Sequence, residues 1–124
     1  MPSVPATVYV VDYYQPVRDS LRLVLELHHF NAVTFACLDE FQRRARAEGS
    51  VCALIDLRTA GMSGCELLHA LDRMSFVAPV IIMTVELSSG LPPGRRGVMS
   101  LRKPFSAPDL IRAVQHALEL CSPH

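Results

Sequence analysis

The chain has 124 residues, half of them hydrophobic and 19% charged, which suits one globular domain and excludes an intrinsically disordered protein. Twelve basic residues balance twelve acidic ones, so bulk charge gives no support for nucleic-acid binding. The four cysteines have neither C-x-x-C nor metal-ligand spacing, and no apolar run is long enough to span a membrane. We therefore expect a single cytoplasmic domain over residues 1–124.

The first part of the chain predicts strands and helices in alternation. Thr7–Val11 is a β-branched and aromatic run that predicts the first strand. Residues 16–29 predict an amphipathic helix, because a proline opens the segment and apolar residues recur at helical spacing. Asn31–Phe35 then predicts a second strand, and residues 38–48 predict a second helix.

The middle of the chain continues this alternation. Val51–Ile55 is wholly apolar, which is typical of a parallel strand that is covered on both faces. A mixed loop with a glycine follows, and an S-x-x-E capping box beginning at Ser63 then predicts a third helix. Residues 77–83 predict a fourth strand, provided that its proline lies near the strand start, and Val98–Leu101 predicts a fifth.

The segment between the last two predicted strands is unusual. Val85–Gly97 contains three glycines and a Pro-Pro pair, so we expect no regular helix of more than about two turns there. After the fifth strand, Ser106 and Asp109 predict the cap of a last helix that runs to Cys121. Strands that alternate with helices across short connections predict an α/β fold with a doubly wound parallel sheet and right-handed crossovers.

Polar side chains follow four of the predicted strands. Asp12 comes after the first strand, Asp56 after the third, Thr84 after the fourth and Lys103 after the fifth. Ligands of parallel sheets bind outside the carboxyl ends of the strands. The sequence therefore predicts a functional site that these four residues share at one edge of the sheet.

At these residues the chain resembles the receiver domain of two-component response regulators, and most closely the branch typified by nitrogen-fixation regulators. The matching pieces are TVYVVD with QPVRDSL, IDLRTAGMSGCELL, PVIIMT and KPF, in that order from about Thr7 to Leu120. The resemblance implies a flavodoxin-like receiver fold with five parallel strands in the order 2-1-3-4-5, here with an irregular or missing fourth helix. It also implies a cis peptide bond before Pro104.

The resemblance further implies phosphoryl transfer from a phosphohistidine to Asp56. In the family a magnesium ion neutralises most of the charge, and the matching ligands here are Asp12, Asp56 and the backbone carbonyl of Arg58. The residues at the Thr84 and Lys103 positions contact the phosphoryl oxygens. The implied partner is a histidine kinase, a phosphotransfer protein or another signalling protein.

The chain departs from the family pattern at several points. Tyr13 stands where relatives have a second acidic residue, and a neutral phenol is a poor ligand for magnesium, so we expect magnesium binding to be weak or absent. Val85 stands where relatives have a small residue that leaves room for the phosphoryl group. Ser100 stands where relatives have an aromatic ring that moves on activation. The glycines and prolines of Val85–Gly97 disfavour the fourth helix that relatives use in signalling.

These departures favour a degenerate receiver, a non-enzymatic module that binds proteins in signalling. The alternative is a working response regulator that a histidine kinase phosphorylates on Asp56, because Asp12, Thr84 and Lys103 are retained. A small flavin or nucleotide enzyme on the same sheet is less favoured, because DYYQPVR is not a phosphate-binding loop. A homodimer is compatible with the sequence, and we expect it to use the first helix, the last helix or the rearranged loop.

Overall fold

The computed structural model describes residues 5–85 and 97–121 and contains one five-stranded sheet. All strands are parallel, and their order is β2-β1-β3-β4-β5, which confirms the predicted fold. The strands are Thr7–Val11 (β1), Asn31–Phe35 (β2), Val51–Asp56 (β3), Val80–Thr84 (β4) and Val98–Arg102 (β5). No helix in the described part of the chain is both long and apolar enough to cross a bilayer.

Helices cover both faces of this sheet. They are Gln15–Leu27 (α1), Leu38–Arg44 (α2), Leu57–Ala60 (α3), Gly64–Arg73 (α4) and Ala107–Cys121 (α5). The apolar sides of α1 and α5 pack on one face of the sheet, and those of α2 and α4 pack on the other. The predicted absence of a regular helix over Val85–Gly97 concerns residues 86–96, which lie outside the described residues.

Successive residues of the central strands pack alternately into the hydrophobic cores on the two faces of the sheet. In β3, Cys52 and Leu54 pack toward α1 and α5, whereas Ala53 and Ile55 pack toward α2 and α4. All four are fully buried, so Cys52 is a core residue, as the apolar run predicts. A sheet covered on both faces exposes its polar groups only at its edges, and this confines the site to the strand ends.

The helix α2 ends earlier than predicted. Residues 38–48 were expected to be helical, but α2 ends at Arg44 because Ala45 adopts an extended backbone. The amide of Arg46 then donates to the hydroxyl oxygen of Tyr9 at 3.0 Å. The Tyr9 ring packs against Phe41 with centroids 5.8 Å apart, so a contact distant in sequence ends this helix.

The predicted loop after β3 contains one helical turn, α3. Asp56 caps this turn, since its side chain accepts a hydrogen bond from the Thr59 amide. Gly61 ends the turn with a φ of 70°, in the left-handed region that glycine adopts without strain. The capping box of Ser63 and Glu66 then begins α4, as predicted.

The predicted fourth strand begins three residues too early. Pro79 cannot donate to a strand ladder, and β4 starts only at Val80, directly after it. Val77, which the apolar run had included, is instead one of the most exposed apolar side chains described. The strand extends one residue further than expected and ends on Thr84, which places that side chain at the carboxyl edge of the sheet.

Candidate functional site

Side chains from four strand ends meet at the carboxyl edge of the sheet. Asp12 follows β1, Asp56 ends β3, Thr84 ends β4 and Lys103 follows β5. Asp12 is 1% exposed, Asp56 3% and Thr84 7%. These are the buried polar residues of the described chain, and the sequence had selected all three as candidates.

Lys103 joins the two carboxylates. Its Nζ lies 2.7 Å from Oδ2 of Asp12 and 3.1 Å from Oδ1 of Asp56. Burial by itself would lower the pKa of the ammonium group, but the hydrogen bonds that it donates to Asp12 and Asp56, together with their negative charges, outweigh burial and raise that pKa above its ordinary value. Lys103 is therefore a cation between two buried anions.

Two backbone features hold Lys103 at the end of β5. Its amide donates to the Thr84 carbonyl oxygen at 2.7 Å, which ties the end of β5 to the end of β4. The peptide bond between Lys103 and Pro104 is cis, and this confirms what the resemblance implied.

Asp12 is held by the loop between β1 and α1. The amide of Tyr14 donates to Oδ1 of Asp12 at 3.0 Å. The backbone carbonyl of Asp12 accepts a hydrogen bond of 2.8 Å from Nη1 of Arg18, on the first turns of α1. Arg18 thus brings a second cation to the site, which the sequence alone did not single out.

Thr59 contacts Asp56 from α3. Oδ2 of Asp56 accepts from the Thr59 amide at 3.0 Å and from the Thr59 hydroxyl at 2.7 Å. The same hydroxyl oxygen accepts from the amide of Tyr13 at 2.8 Å. Thr59 was not a candidate from the sequence, although an aspartate at the end of an apolar run is itself a possible N-cap and would have drawn attention to the amide of Thr59.

The two tyrosines that follow Asp12 point outward. Tyr13 is 59% exposed and Tyr14 54%, and their ring centroids lie 6.2 Å apart. Neither phenol contributes a side-chain ligand next to the carboxylates of Asp12 and Asp56 in the hydrogen bonds found. These residues reach the site through their backbone amides instead.

Val85 lies beside Lys103 at the rim of an apolar cavity. The cavity has a volume of about 520 Å³. Its lining consists of Pro16, Val17, Ser20, Leu21, Val85, Lys103, Pro104 and Phe105. The side chain of Val85 is half exposed, and it shares this cavity lining with Lys103.

The expected magnesium ligands are engaged within the protein. Each oxygen of Asp12 and Asp56 contacts a protein donor: Tyr14, Thr59 or the Lys103 ammonium. Magnesium takes hard oxygen ligands in octahedral geometry, so it would compete with these donors for the two carboxylates. Within residues 5–85 and 97–121, no group of three or more His, Cys, Asp and Glu residues could hold a metal ion.

The carbonyl that the resemblance assigns to the metal is also engaged. The Arg58 carbonyl oxygen accepts a hydrogen bond of 3.2 Å from the Gly61 amide, which closes the α3 turn. A carbonyl that takes part in a helical turn points along the helix axis. The third expected ligand therefore already accepts one backbone hydrogen bond, from an amide that it shares with the Leu57 carbonyl.

Comparisons with known proteins agree with this architecture. The family model described as "Response regulator receiver domain" matches residues 8–115. The transcriptional regulatory protein TdiR of Thauera aromatica is 31% identical over 118 residues, which are 93% of this chain and 52% of that protein. The transcriptional regulatory protein FixJ of Rhizobium meliloti is 29% identical over 116 residues, 91% of this chain and 57% of that protein.

Solved structures show the same likeness. The response regulator StyR matches with a TM-score of 0.78 and 34% identity, over 94% of this chain and 61% of that one. The structure named FixJ-N matches with a TM-score of 0.72 and 27% identity, over 94% of this chain and 96% of that one. The chain spans about half the length of the curated relatives it matches.

Proposed function

The chain belongs to the response regulator receiver domain family, and from that membership we propose that it is an atypical receiver that acts by binding a signalling protein. In this proposal, magnesium binding and phosphorylation of Asp56 are weak or absent. The observation that carries the proposal is that Lys103, Thr59 and a loop amide already contact the carboxylate oxygens of Asp12 and Asp56.

Charge balance supports the proposal. Asp12 and Asp56 supply two negative charges, and Lys103 supplies one positive charge in contact with both. Lys103 therefore cancels part of the charge that would attract a divalent cation. A second carboxylate in place of Tyr13 would add attraction of about 4 kcal/mol at a contact of about 4 Å and an effective dielectric of about 20.

The second candidate is a working phosphoacceptor, and it is favoured by the retention of all four strand-end residues: Asp12, Asp56, Thr84 and Lys103. In that function an oxygen of Asp56 would bond to phosphorus as the phosphorus–nitrogen bond of a phosphohistidine breaks and its electron pair returns to the imidazole. Lys103 and the Thr84 hydroxyl would neutralise the transferred group. The attacking oxygen of Asp56 would first have to leave its present partner, which is Lys103 for Oδ1 and Thr59 for Oδ2.

The partners that fit either function are a histidine kinase, a phosphotransfer protein or another signalling protein. The curated relatives are named as transcriptional regulators, and we propose only their receiver role for this chain. Membership of the family supports this choice, since the described residues span one receiver-like domain.

Magnesium titration followed by NMR tests the proposal. We expect Tyr13→Asp to bind magnesium at least about tenfold more tightly than the wild type, since one added charge contact exceeds the 1.4 kcal/mol that a factor of ten requires. Tyr13→Phe is the matched control, because it removes only an exposed hydroxyl. A wild type that saturates as readily as Tyr13→Asp would remove the basis of the proposal.

A further inference from the structure

Thr59 lies between the phosphoacceptor position and the β1–α1 loop. Its hydroxyl donates to Oδ2 of Asp56 at 2.7 Å and accepts from the Tyr13 amide at 2.8 Å. One oxygen atom therefore connects a residue at the end of β3 to a residue 46 positions earlier in the chain. Lys103 also joins Asp56 to this loop, but it does so through the side chain of Asp12, whereas Thr59 contacts the loop backbone.

We propose that Thr59 is a positioning residue that holds the acidic site closed, by fixing Asp56 and tying it to the Tyr13 backbone. The inference rests on the proposed function and names the residue that maintains the closed state. The amide of Thr59 already caps α3 through Asp56, so the hydroxyl is not needed for the cap. The hydroxyl makes a second, shorter hydrogen bond to the same oxygen, and this bond fixes the position of the Asp56 carboxylate.

The geometry explains why a hydroxyl acts here. A hydroxyl can donate to one group and accept from another, whereas an amide proton can only donate. Hydrogen bonds to a charged oxygen are stronger than neutral ones, so an incoming ligand must compete with Thr59 for Oδ2 of Asp56. Lys103 holds the other oxygen, Oδ1.

The bridge also couples the two parts of the site. Any event that draws Oδ2 of Asp56 away from Thr59 leaves the hydroxyl without its acceptor. The hydroxyl then reorients, and the Tyr13 amide loses a well-placed acceptor. The exposed loop that carries Tyr13 and Tyr14 therefore responds to the state of Asp56 through Thr59.

Three variants test this inference. Thr59→Val keeps the shape and removes the hydroxyl, Thr59→Ala removes it with less bulk, and Thr59→Ser restores it. Hydrogen exchange of the Tyr13 amide is measured by NMR in each variant, together with magnesium titration. The Thr59 amide, which donates to Asp56 in all of them, reports whether α3 remains folded.

We expect the Tyr13 amide to exchange about tenfold faster in Thr59→Val and Thr59→Ala, the factor that loss of one hydrogen bond of about 1.4 kcal/mol would give. Magnesium should bind more tightly to both variants than to the wild type, and Thr59→Ser should match the wild type in both measurements. Equal exchange in Thr59→Val and Thr59→Ser, or unchanged magnesium affinity on loss of the hydroxyl, overturns the inference. If the wild type binds magnesium as tightly as Tyr13→Asp, the proposed function is refuted. The exchange rate of the Tyr13 amide would still show whether Thr59 links Asp56 to the loop.

Discussion

At the scale of single residues, Lys103 is the group on which the site depends. It pairs with two buried carboxylates, and a buried charge that loses its partner is strongly destabilising. We expect Lys103→Met to lower the free energy of unfolding by about 3–5 kcal/mol in urea denaturation. The control is Arg112→Met, which breaks an exposed ion pair with Asp109 on α5 and should cost less than about 1 kcal/mol. Equal costs for the two variants would contradict the account of Lys103.

The stability that Lys103 contributes should depend on pH in one direction. The folded state raises the pKa of its ammonium group above the unfolded value. The contribution is therefore fully present below the unfolded pKa, which is about 10.4, and is lost as pH rises through the folded value. Urea denaturation should show that the free energies of unfolding of the wild type and Lys103→Met become more similar as the pH rises above the unfolded pKa of lysine. A difference that stays constant through strongly alkaline pH would show that the lysine charge is not responsible.

The residues that the sequence predicted best are those at strand ends. Asp12, Asp56 and Lys103 come together because the direction of the strands in a parallel sheet brings their carboxyl ends to one edge. Thr59 and Arg18 were missed because their roles depend on distances across loops. A sequence pattern reports neighbours along a helix or strand, whereas the bond from the Tyr13 amide to the Thr59 hydroxyl joins residues 46 positions apart and depends on the final packing.

At the scale of elements, the capping box of α4 supplies a local test. The Ser63 side chain accepts from the Glu66 amide, and Glu66 accepts from the Ser63 amide. We expect Ser63→Ala to cost about 1 kcal/mol of stability in urea denaturation. Ser20→Ala, on the exposed side of α1, should change stability by no more than about 0.5 kcal/mol. A similar small effect at Ser63 would mean that the cap is not formed.

The same cap carries a pH signature. The backbone and side-chain hydrogen bonds from Ser63 lower the pKa of Glu66 below its ordinary value. The stabilisation is therefore present above the unfolded pKa of Glu66 and is lost as pH falls through the folded value. The cost of Ser63→Ala should accordingly shrink in acid.

Element boundaries show where local patterns stop being sufficient. The capping boxes of α4 and α5 were predicted, because each is a contact within four residues of sequence. The early end of α2 was not predicted, because the Tyr9 hydroxyl that receives the Arg46 amide belongs to a strand 37 positions away. The expected irregularity of Val85–Gly97 stays a prediction, since residues 86–96 lie outside the described part of the chain.

At the scale of the whole molecule, exposed apolar residues bear on self-association. Leu23 and Leu27 lie on the outer side of α1 and are 59% and 66% exposed. We expect any dimer that sedimentation detects to weaken in Leu23→Glu if α1 forms the interface, or in Gln115→Glu if α5 does. A dimer that survives both substitutions would rule out an interface on either helix and leave the rearranged loop as the remaining expected interface.

The central claim is that this receiver has a chemically closed site, and labelling of Asp56 by acetyl phosphate in the presence of magnesium tests it most directly. Intact-mass spectrometry would compare the wild type, Tyr13→Asp, the double variant Tyr13→Asp with Val85→Ala, and Asp56→Asn as the unlabelled control. We predict little labelling of the wild type and substantial labelling of the double variant, because a new carboxylate attracts the metal and a smaller side chain opens the approach to Lys103. Stoichiometric labelling of the wild type that disappears in Asp56→Asn would contradict the account and establish a working phosphoacceptor.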